Sequence, residues 1–565
     1  MHICSIQDRH YKEWSYDPPC ESLASPTQYK LFDGDVFNNN GDGTIEIIKS
    51  PLKSMQNIPG ILLLENNRTY GRTTNKKRLY YKCRPNDSKI PSFLVPYDLS
   101  MGFHKNFKNK YITFYFHHWK EKHPCGRISQ NLGDVYDLPS FNEYQLYCKS
   151  LHHSITASIA KTKEIVKTFP LEGLQKKILD NAQNYGEFQR KEESDEYIFT
   201  VDPRGCLDRD DALSISTKIK NDIIEHTVNV YIANVWVWLD LMNLWELIGT
   251  RVSTIYFPEM KRPMLPTSIG EELCSLDQNK MRFAFMMSFN VVEHPKKGVY
   301  IQYLDGMRPT VNQCTIKVSK NYCYEEPLLI DNSYYQALKK LTIKMDSKTK
   351  DSHDVVAFWM MQMNIYMAKH MKFHKMGIFR TVKSKTSTVV PDELPSFIKI
   401  WEQQISGSYE LCDDNKSLNH DVLGISQYVH FTSPIRRMVD LLNQMDWIFT
   451  YVKPTSLNPM VLEFYNSQVE NIDNLNKDMK KIRRIQSDAH ILHTVTNEPG
   501  ILENTYNAKV ITVGEKYTLY IEELQWITQT TLPFEKKKFE NVLCKLFVFE
   551  KEEKMRKKIR IQVVL

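Results

Sequence analysis

No stretch of the 565 residues approaches the roughly 18 consecutive apolar positions that a membrane-spanning helix requires, so no membrane partner is expected. The 11 cysteines are scattered without a single Cys-x-x-Cys pair, which argues against ribbon-type zinc sites and against a disulfide framework. Nor does a charged-then-apolar leader open the chain at Met1-His2-Ile3-Cys4-Ser5. Reduced thiols and an intracellular location, cytoplasmic or nuclear, are the expectation. Repeats and low-complexity tracts are lacking too, so the chain does not read as a solenoid or a linker. A large excess of one charge is also missing: 74 Lys and Arg against 67 Asp and Glu leave a net +7, which suits a polyanionic partner without establishing one.

What is present is concentrated. Asp202-Pro203-Arg204-Gly205-Cys206-Leu207-Asp208-Arg209-Asp210-Asp211-Ala212 carries four carboxylates within a few residues of one another. Two carboxylates about 4 Å apart repel by roughly 4 kcal/mol at an effective dielectric near 20, so drawing four together calls for a cation. Hard divalent metals with oxygen ligands meet that need, and Mg²⁺ suits a substrate that brings phosphate oxygens. The flanks, Tyr197 to Val201 and Leu213 to Ile219, are β-branched, aromatic or alternating, which predicts a strand, a loop bent by Pro203 and Gly205, and a second strand. For an arbitrary chain a solvated acidic turn is the commoner outcome. A helix-loop-helix calcium loop does not match the spacing, the glycine position or the strand flanks.

The pattern Asp-x5-Asp-x-Asp-Asp-Ala after a strand resembles the catalytic signature of the ribonuclease II/ribonuclease R family, which includes the catalytic subunit of the eukaryotic exosome. Other stretches extend the resemblance. Tyr256-Phe257-Pro258, Pro263-Met264-Leu265-Pro266 and Leu273-Cys274-Ser275-Leu276 follow the family's order. Tyr428-Val429-His430-Phe431-Thr432-Ser433-Pro434-Ile435-Arg436-Arg437 reproduces its His-Phe-Thr-Ser-Pro-Ile-Arg-Arg signature. There Ser433 as N-cap and Pro434 at the first helical position predict a helix start with both arginines in its first turn, a placement that favours phosphate. Phe379-Arg380-Thr381 also matches.

Length implies roughly three to five domains, and the order of short strands and helices divides the chain. Residues 1–27 read as a tail, 28–100 as a small cold-shock-like barrel and 101–185 as a second barrel with a linker. Residues 186–495 read as the catalytic domain and 496–565 as a C-terminal barrel. Pro124-Cys125-Gly126-Arg127-Ile128 resembles the family's second barrel. Aromatics such as Phe114, Phe116 and Trp119 either stack bases or fill that barrel's core. The fold class implied by the resemblance is multidomain, an α+β RNB catalytic domain flanked by small OB-type β-barrels.

The resemblance further implies a Mg²⁺-dependent, hydrolytic 3′-to-5′ exoribonuclease that degrades single-stranded RNA processively to nucleoside 5′-monophosphates. Asp202, Asp208, Asp210 and Asp211 would hold two Mg²⁺ ions, with Mn²⁺ as a substitute. Asp210 and Arg436 would be catalytic, and Tyr256, Arg436, Arg437 and Arg380 would contact RNA, Tyr256 by stacking on the 3′-terminal base. The chain departs from the family at Asn234, where Asp is usual, at Ala357 and Phe358, where two glutamates are usual, and at Val382 and Gln444, where histidines are usual. These departures keep a second reading open, an RNA-binding regulator on the same scaffold with weakened turnover.

Overall fold

The computed structural model describes the chain except residues 21–22, 66–67, 74–77, 99–106, 221–222, 250, 304–308, 385–403, 414, 552–555 and 564–565. It divides into two compact units. One comprises Met1–His152, Tyr256–Met260 and Arg483–Leu565; the other comprises His153–Ile255 and Lys261–Ile482.

In the first unit, strands His2–Ile6, Trp14–Asp17, Val36–Asn39 and Ile45–Lys49 form a four-stranded antiparallel sheet. Cys4 and Ile6, alternate residues of the first strand, bury with Tyr16, Leu31 and Phe37. The segment expected to be a tail is therefore structured. Its strands are short, and one partner lies some thirty residues downstream, a pairing that local pattern does not announce. Next comes a closed five-stranded barrel built from Ile58–Leu62, Leu79–Pro85, Phe93–Tyr97, Lys110–His118 and Cys125–Asp134. The boundary expected at residue 100 falls inside this barrel, so one barrel takes its strands from both of the anticipated segments.

Phe114 sits at the barrel's centre, fully buried with Phe93, Val95, Cys83 and Ile112. A Cβ on Gly126 would come within 2.8 Å of its ring, so the Gly of the Pro-x-Gly-x-Ile segment is there for close approach. For Phe114 core filling is the outcome; Phe116 and Trp119 pack against the same core while remaining partly exposed. At the other end of the chain, Thr505–Thr512, Tyr517–Ile521, Trp526–Thr530, Asn541–Lys551 and Arg556–Val563 make a five-stranded antiparallel sheet where the third barrel was expected.

The second unit is α+β. Its eight-stranded mixed sheet runs, edge to edge, through Gln189–Arg190, Val311–Lys317, Met281–His294, Ile223–Ala233, Asp211–Lys220, Phe199–Asp202 and Lys320–Cys323, with Gly298–Gln302 paired to Met281–His294. Val228 to Ala233 is a continuous buried run, the mark of a central strand covered on both faces. Helices Ser352–Phe373 and Met438–Tyr451 supply part of the cover. Phe289 meets Trp359 and Tyr366 of the first, and Phe285 meets Trp447 of the second, with ring centroids 5.2–5.7 Å apart. Among the described residues no helix is long and apolar enough to cross a membrane.

Candidate active site

Asp202 ends one strand and Asp211 begins the next, and between them the chain leaves the sheet. The two strands share one register pair, Phe199 with Leu213, and on their other edges Asp202 pairs with Cys323 and Asp211 with Ile232. Gly205 takes a φ of +81° in open space, so the turn rather than crowding requires glycine there. The far side of the loop is fastened to the Cys274-Ser275-Leu276 segment. The Arg209 amide donates to Ser275 Oγ at 3.1 Å, the Leu276 amide donates to the Arg209 carbonyl at 3.1 Å, and Arg209 Nη1 lies 3.0 Å from Asp277 Oδ1.

Asp210 joins the two strongest motifs of the chain. Its Oδ1 accepts the Ile435 N–H at 2.8 Å and its Oδ2 accepts Arg436 Nε at 2.9 Å, across 225 and 226 residues of sequence. The expected helix start is displaced by this contact. Pro434 to Arg436 form a turn, the helix begins at Met438 with Arg437 as its cap residue, and the Ser433 N–H donates to Asp440 Oδ1 at 2.8 Å. The amides of Ser433 and Ile435, which a capped helix would present to an anion, are taken by two protein carboxylates. What the motif leaves accessible to an anion is the Arg436 side chain, which is 45% exposed.

The carboxylates are not alike. Burial pushes Asp210 up to about 7 against the pull of Arg436. Burial, then the charges of Asp202 and Asp210, raise Asp211 well above the usual carboxylate range. Asp202 is raised by burial, opposed by its hydrogen bond from Thr200 and by Arg209. Asp202 Oδ2 is a buried oxygen with no hydrogen-bond partner, and the Arg209 Nε near it stands at 3.8 Å. A buried carboxylate oxygen without a partner, beside the further acid Asp211, is the kind of oxygen donor that a hard divalent cation takes up. The four acids do not gather around one point, however. Among the described residues, the one group of three metal-ligating side chains whose ligand atoms lie within 4.8 Å of one another is Asp351, His353 and Asp354, at the start of the helix Ser352–Phe373. In the acidic loop Asp208 and Asp210 are instead engaged by Lys261 and Arg436.

The other expected residues are distributed as follows. Arg437 forms an ion pair with Asp440, which is fully buried, with Nη2 at 2.9 Å from Oδ1; that pair ties the motif to its own helix. Arg380 lies across the neighbouring strand, its guanidinium 5.1 Å from the Tyr409 ring and so close to Gly407 that a Cβ there would meet Nη2 at 2.1 Å. Tyr256 belongs to the first unit, where it is 42% exposed and its amide donates to Gln486 Oε1 at 3.3 Å. Two departures from the family are satisfied on one side only, since Asn234 Oδ1 and Gln444 Oε1 are buried without a hydrogen-bond partner while their NH₂ groups are engaged. Asn234 Nδ2 donates to Gln313 Oε1 at 2.8 Å, and Gln444 Nε2 donates to the Ala233 carbonyl at 3.0 Å. Phe358 and Val382 are buried, while Ala357 is exposed.

Two residues escaped the sequence reading. Lys261, two positions before Pro263-Met264-Leu265-Pro266, places Nζ 3.0 Å from Asp208 Oδ1 and 2.7 Å from Glu271 Oε1. Tyr324, just past the strand beside Asp202, donates its amide to the Asp202 carbonyl at 3.1 Å; its hydroxyl is held protonated by burial and by the charges of Asp211 and Asp202. Neither stands in a motif with its own spacing rule, and no local signal marks them.

A family model described as the RNB domain matches residues 190–327 and 329–447. Ribonuclease R of Chlamydia muridarum is 24% identical over 318 residues, which take in 45% of each chain. The chain thus spans about half the length of the curated relatives it matches. Among solved structures, RNase R of Mycoplasma genitalium, in complex with ribose-methylated single-stranded RNA, superposes with a TM-score of 0.67 at 15% identity, covering 99% of this chain and 100% of that one. Yeast Ssd1, described as a pseudonuclease, superposes with a TM-score of 0.54 at 13% identity, covering 96% and 80%. At these identities the superpositions establish a shared multidomain fold.

Proposed function

We propose, from the premise that this chain carries the RNB domain of the ribonuclease II/ribonuclease R family, that it is a divalent-metal-dependent 3′-to-5′ exoribonuclease acting on single-stranded RNA. The observation that carries the reading is Asp210, whose carboxylate joins the acidic loop to the Ile435-Arg436 turn. Asp202, Asp208, Asp210 and Asp211 would hold the metal, two Mg²⁺ ions on this reading, with Mn²⁺ as a substitute. When bound, such ions supply an activated water and neutralise charge on the departing 3′-oxygen.

The protein's own groups do the rest. Asp210 holds the Arg436 guanidinium by one edge, so an exposed arginine is pre-oriented before substrate arrives. Arg436 can then donate to a non-bridging phosphate oxygen in bidentate fashion, a contact that strengthens as charge accumulates there. Tyr256 would stack on the terminal base, and Arg380, fixed against Tyr409, would contact the backbone upstream. Hydrolysis from the 3′ end, repeated without release, yields nucleoside 5′-monophosphates.

The second reading is an RNA-binding regulator without turnover, and the specific observation in its favour is the set of residues at Asn234, Ala357, Phe358, Val382 and Gln444. One experiment separates the two: purified protein with 5′-labelled single-stranded RNA, with and without Mg²⁺, alongside Asp210→Asn. Mg²⁺-dependent shortening from the 3′ end that the variant lacks supports the nuclease; binding without shortening in both proteins supports the regulator.

A further inference from the structure

Lys261 is a cation already seated on the acidic loop. Its ammonium bridges Asp208 Oδ1 at 3.0 Å and Glu271 Oε1 at 2.7 Å. The three side chains are 27%, 9% and 20% exposed, so the pair with Asp208 is shielded from bulk solvent and from screening by salt. Three backbone features fix the arrangement. Lys261 lies in a short strand with Arg262, Glu271 sits in the π-helical turn Gly270–Cys274, and Asp208 precedes Arg209, whose amide is held by Ser275. Lys261 is thus anchored by Glu271 on one side and by the loop on the other.

We infer that Lys261 competes with divalent metal for Asp208 and thereby sets the metal affinity of the site. The inference rests on the metal-binding role proposed above for the acidic loop. A carboxylate oxygen that accepts from an ammonium at 3.0 Å must exchange that partner, or share it, when a metal coordinates it. The fixed positive charge also repels an incoming divalent ion, and in a partly buried site this repulsion is felt at an effective dielectric well below that of water. The lysine pairs with Asp208 in the metal-free protein, and loading weakens that pairing whether the oxygen exchanges its partner or shares it. Glu271 moderates the effect by drawing part of the ammonium's interaction to itself.

The test is calorimetric titration of Mn²⁺ into the metal-free full-length protein, with no RNA present. Lys261→Met should tighten binding on the order of tenfold, because the competing charge is gone. Lys261→Arg, which keeps the charge, should stay near wild type. Glu271→Gln leaves the ammonium to Asp208 alone and should weaken Mn²⁺ binding several-fold; it also decides the matter if Lys261→Met folds poorly. In an Asp208→Asn background, Lys261→Met should lose most of its effect. Equal affinity in wild type, Lys261→Met and Glu271→Gln would overturn the inference while leaving the metal site standing. Weaker binding by a folded Lys261→Met would overturn it as well, making the lysine an organiser of Asp208. No Mn²⁺ bound by any of the proteins would remove the inference and the metal reading together.

Discussion

Replacing Asp210 by asparagine tests both halves of the site at once. Asp210 is 2% exposed and accepts two donors, the Ile435 N–H and Arg436 Nε, one on each oxygen. An asparagine has one carbonyl oxygen for those two donors, and its NH₂ must face the other, so one of the bonds is lost whichever way the amide turns. Hydrogen bonds to a charged group contribute about 1.5–3 kcal/mol each, which is the scale of the local loss. Against it stands the removal of a buried negative charge that Asp440 and Asp208 repel. The two effects oppose each other, so the folded state should survive with a modest change in melting temperature.

Activity has no such compensation. On the proposed reading the substitution removes a metal donor and releases the guanidinium from its fixed edge, and losing one strong transition-state donor alone costs about 10²–10³ in rate. A fall on the order of 10³ or more is therefore expected in single-turnover cleavage of 5′-labelled RNA. RNA affinity, measured by fluorescence anisotropy in EDTA, should stay within about threefold, under 1 kcal/mol, because the barrel surfaces are untouched. Wild-type-like cleavage by a correctly folded Asp210→Asn protein would refute the reasoning.

Three further outcomes are expected. Arg436→Ala should slow cleavage by about 10²–10³, and Arg436→Lys should recover only part, since a point charge does not reproduce the guanidinium fork; equal rates in all three proteins would make the arginine a structural partner of Asp210 only. Tyr256→Ala should degrade long RNAs at near-normal rate but stop at a longer final fragment on a denaturing gel, because stacking contributes about 1–3 kcal/mol to retaining short remnants; an unchanged limit product would remove Tyr256 from the RNA path. Metal-free protein should lose stability as pH rises. Asp210, raised to about 7, and Asp446, raised by burial to about 6, keep protons when folded that they lose when unfolded above the usual value of 3.8. Their contribution is fully present below the unfolded value of 3.8, declines as pH rises, and is gone once each folded value is passed. Urea unfolding at pH 5 and 7.5 should therefore show a smaller pH dependence for Asp210→Asn than for wild type; equal dependence would mean that Asp210 does not titrate across that window.

Much of this protein is written locally. The acidic loop needs only a few adjacent residues: two β-prone flanks, a Pro203 and a Gly205 to turn the chain, and four carboxylates whose type and spacing imply a cation. The buried part of the central strand, Val228 to Ala233, is likewise legible, because a strand covered on both faces needs an unbroken run of mostly apolar residues. The helix starts at Met438 and not at Pro434, where the capping residues predict it, for a reason of the opposite kind. Capping residues state a local preference, and it is overridden where Asp210, 225 residues away, accepts the Ile435 amide and Asp440, in the first turn of the helix that does form, accepts the Ser433 amide. Strands His2–Ile6 and Trp14–Asp17 were hidden in the same way: a short strand with few β-branched residues acquires its state from the partner it pairs with, and that partner is not its neighbour in sequence for His2–Ile6 against Val36–Asn39. Which acid faces which cation is also a tertiary matter. Composition placed Asp208 and Asp210 in one loop, but only the folded chain decided that Lys261 meets the first and Arg436 the second, because such contacts depend on where segments fifty and more than two hundred residues away are brought by the sheet and its helices.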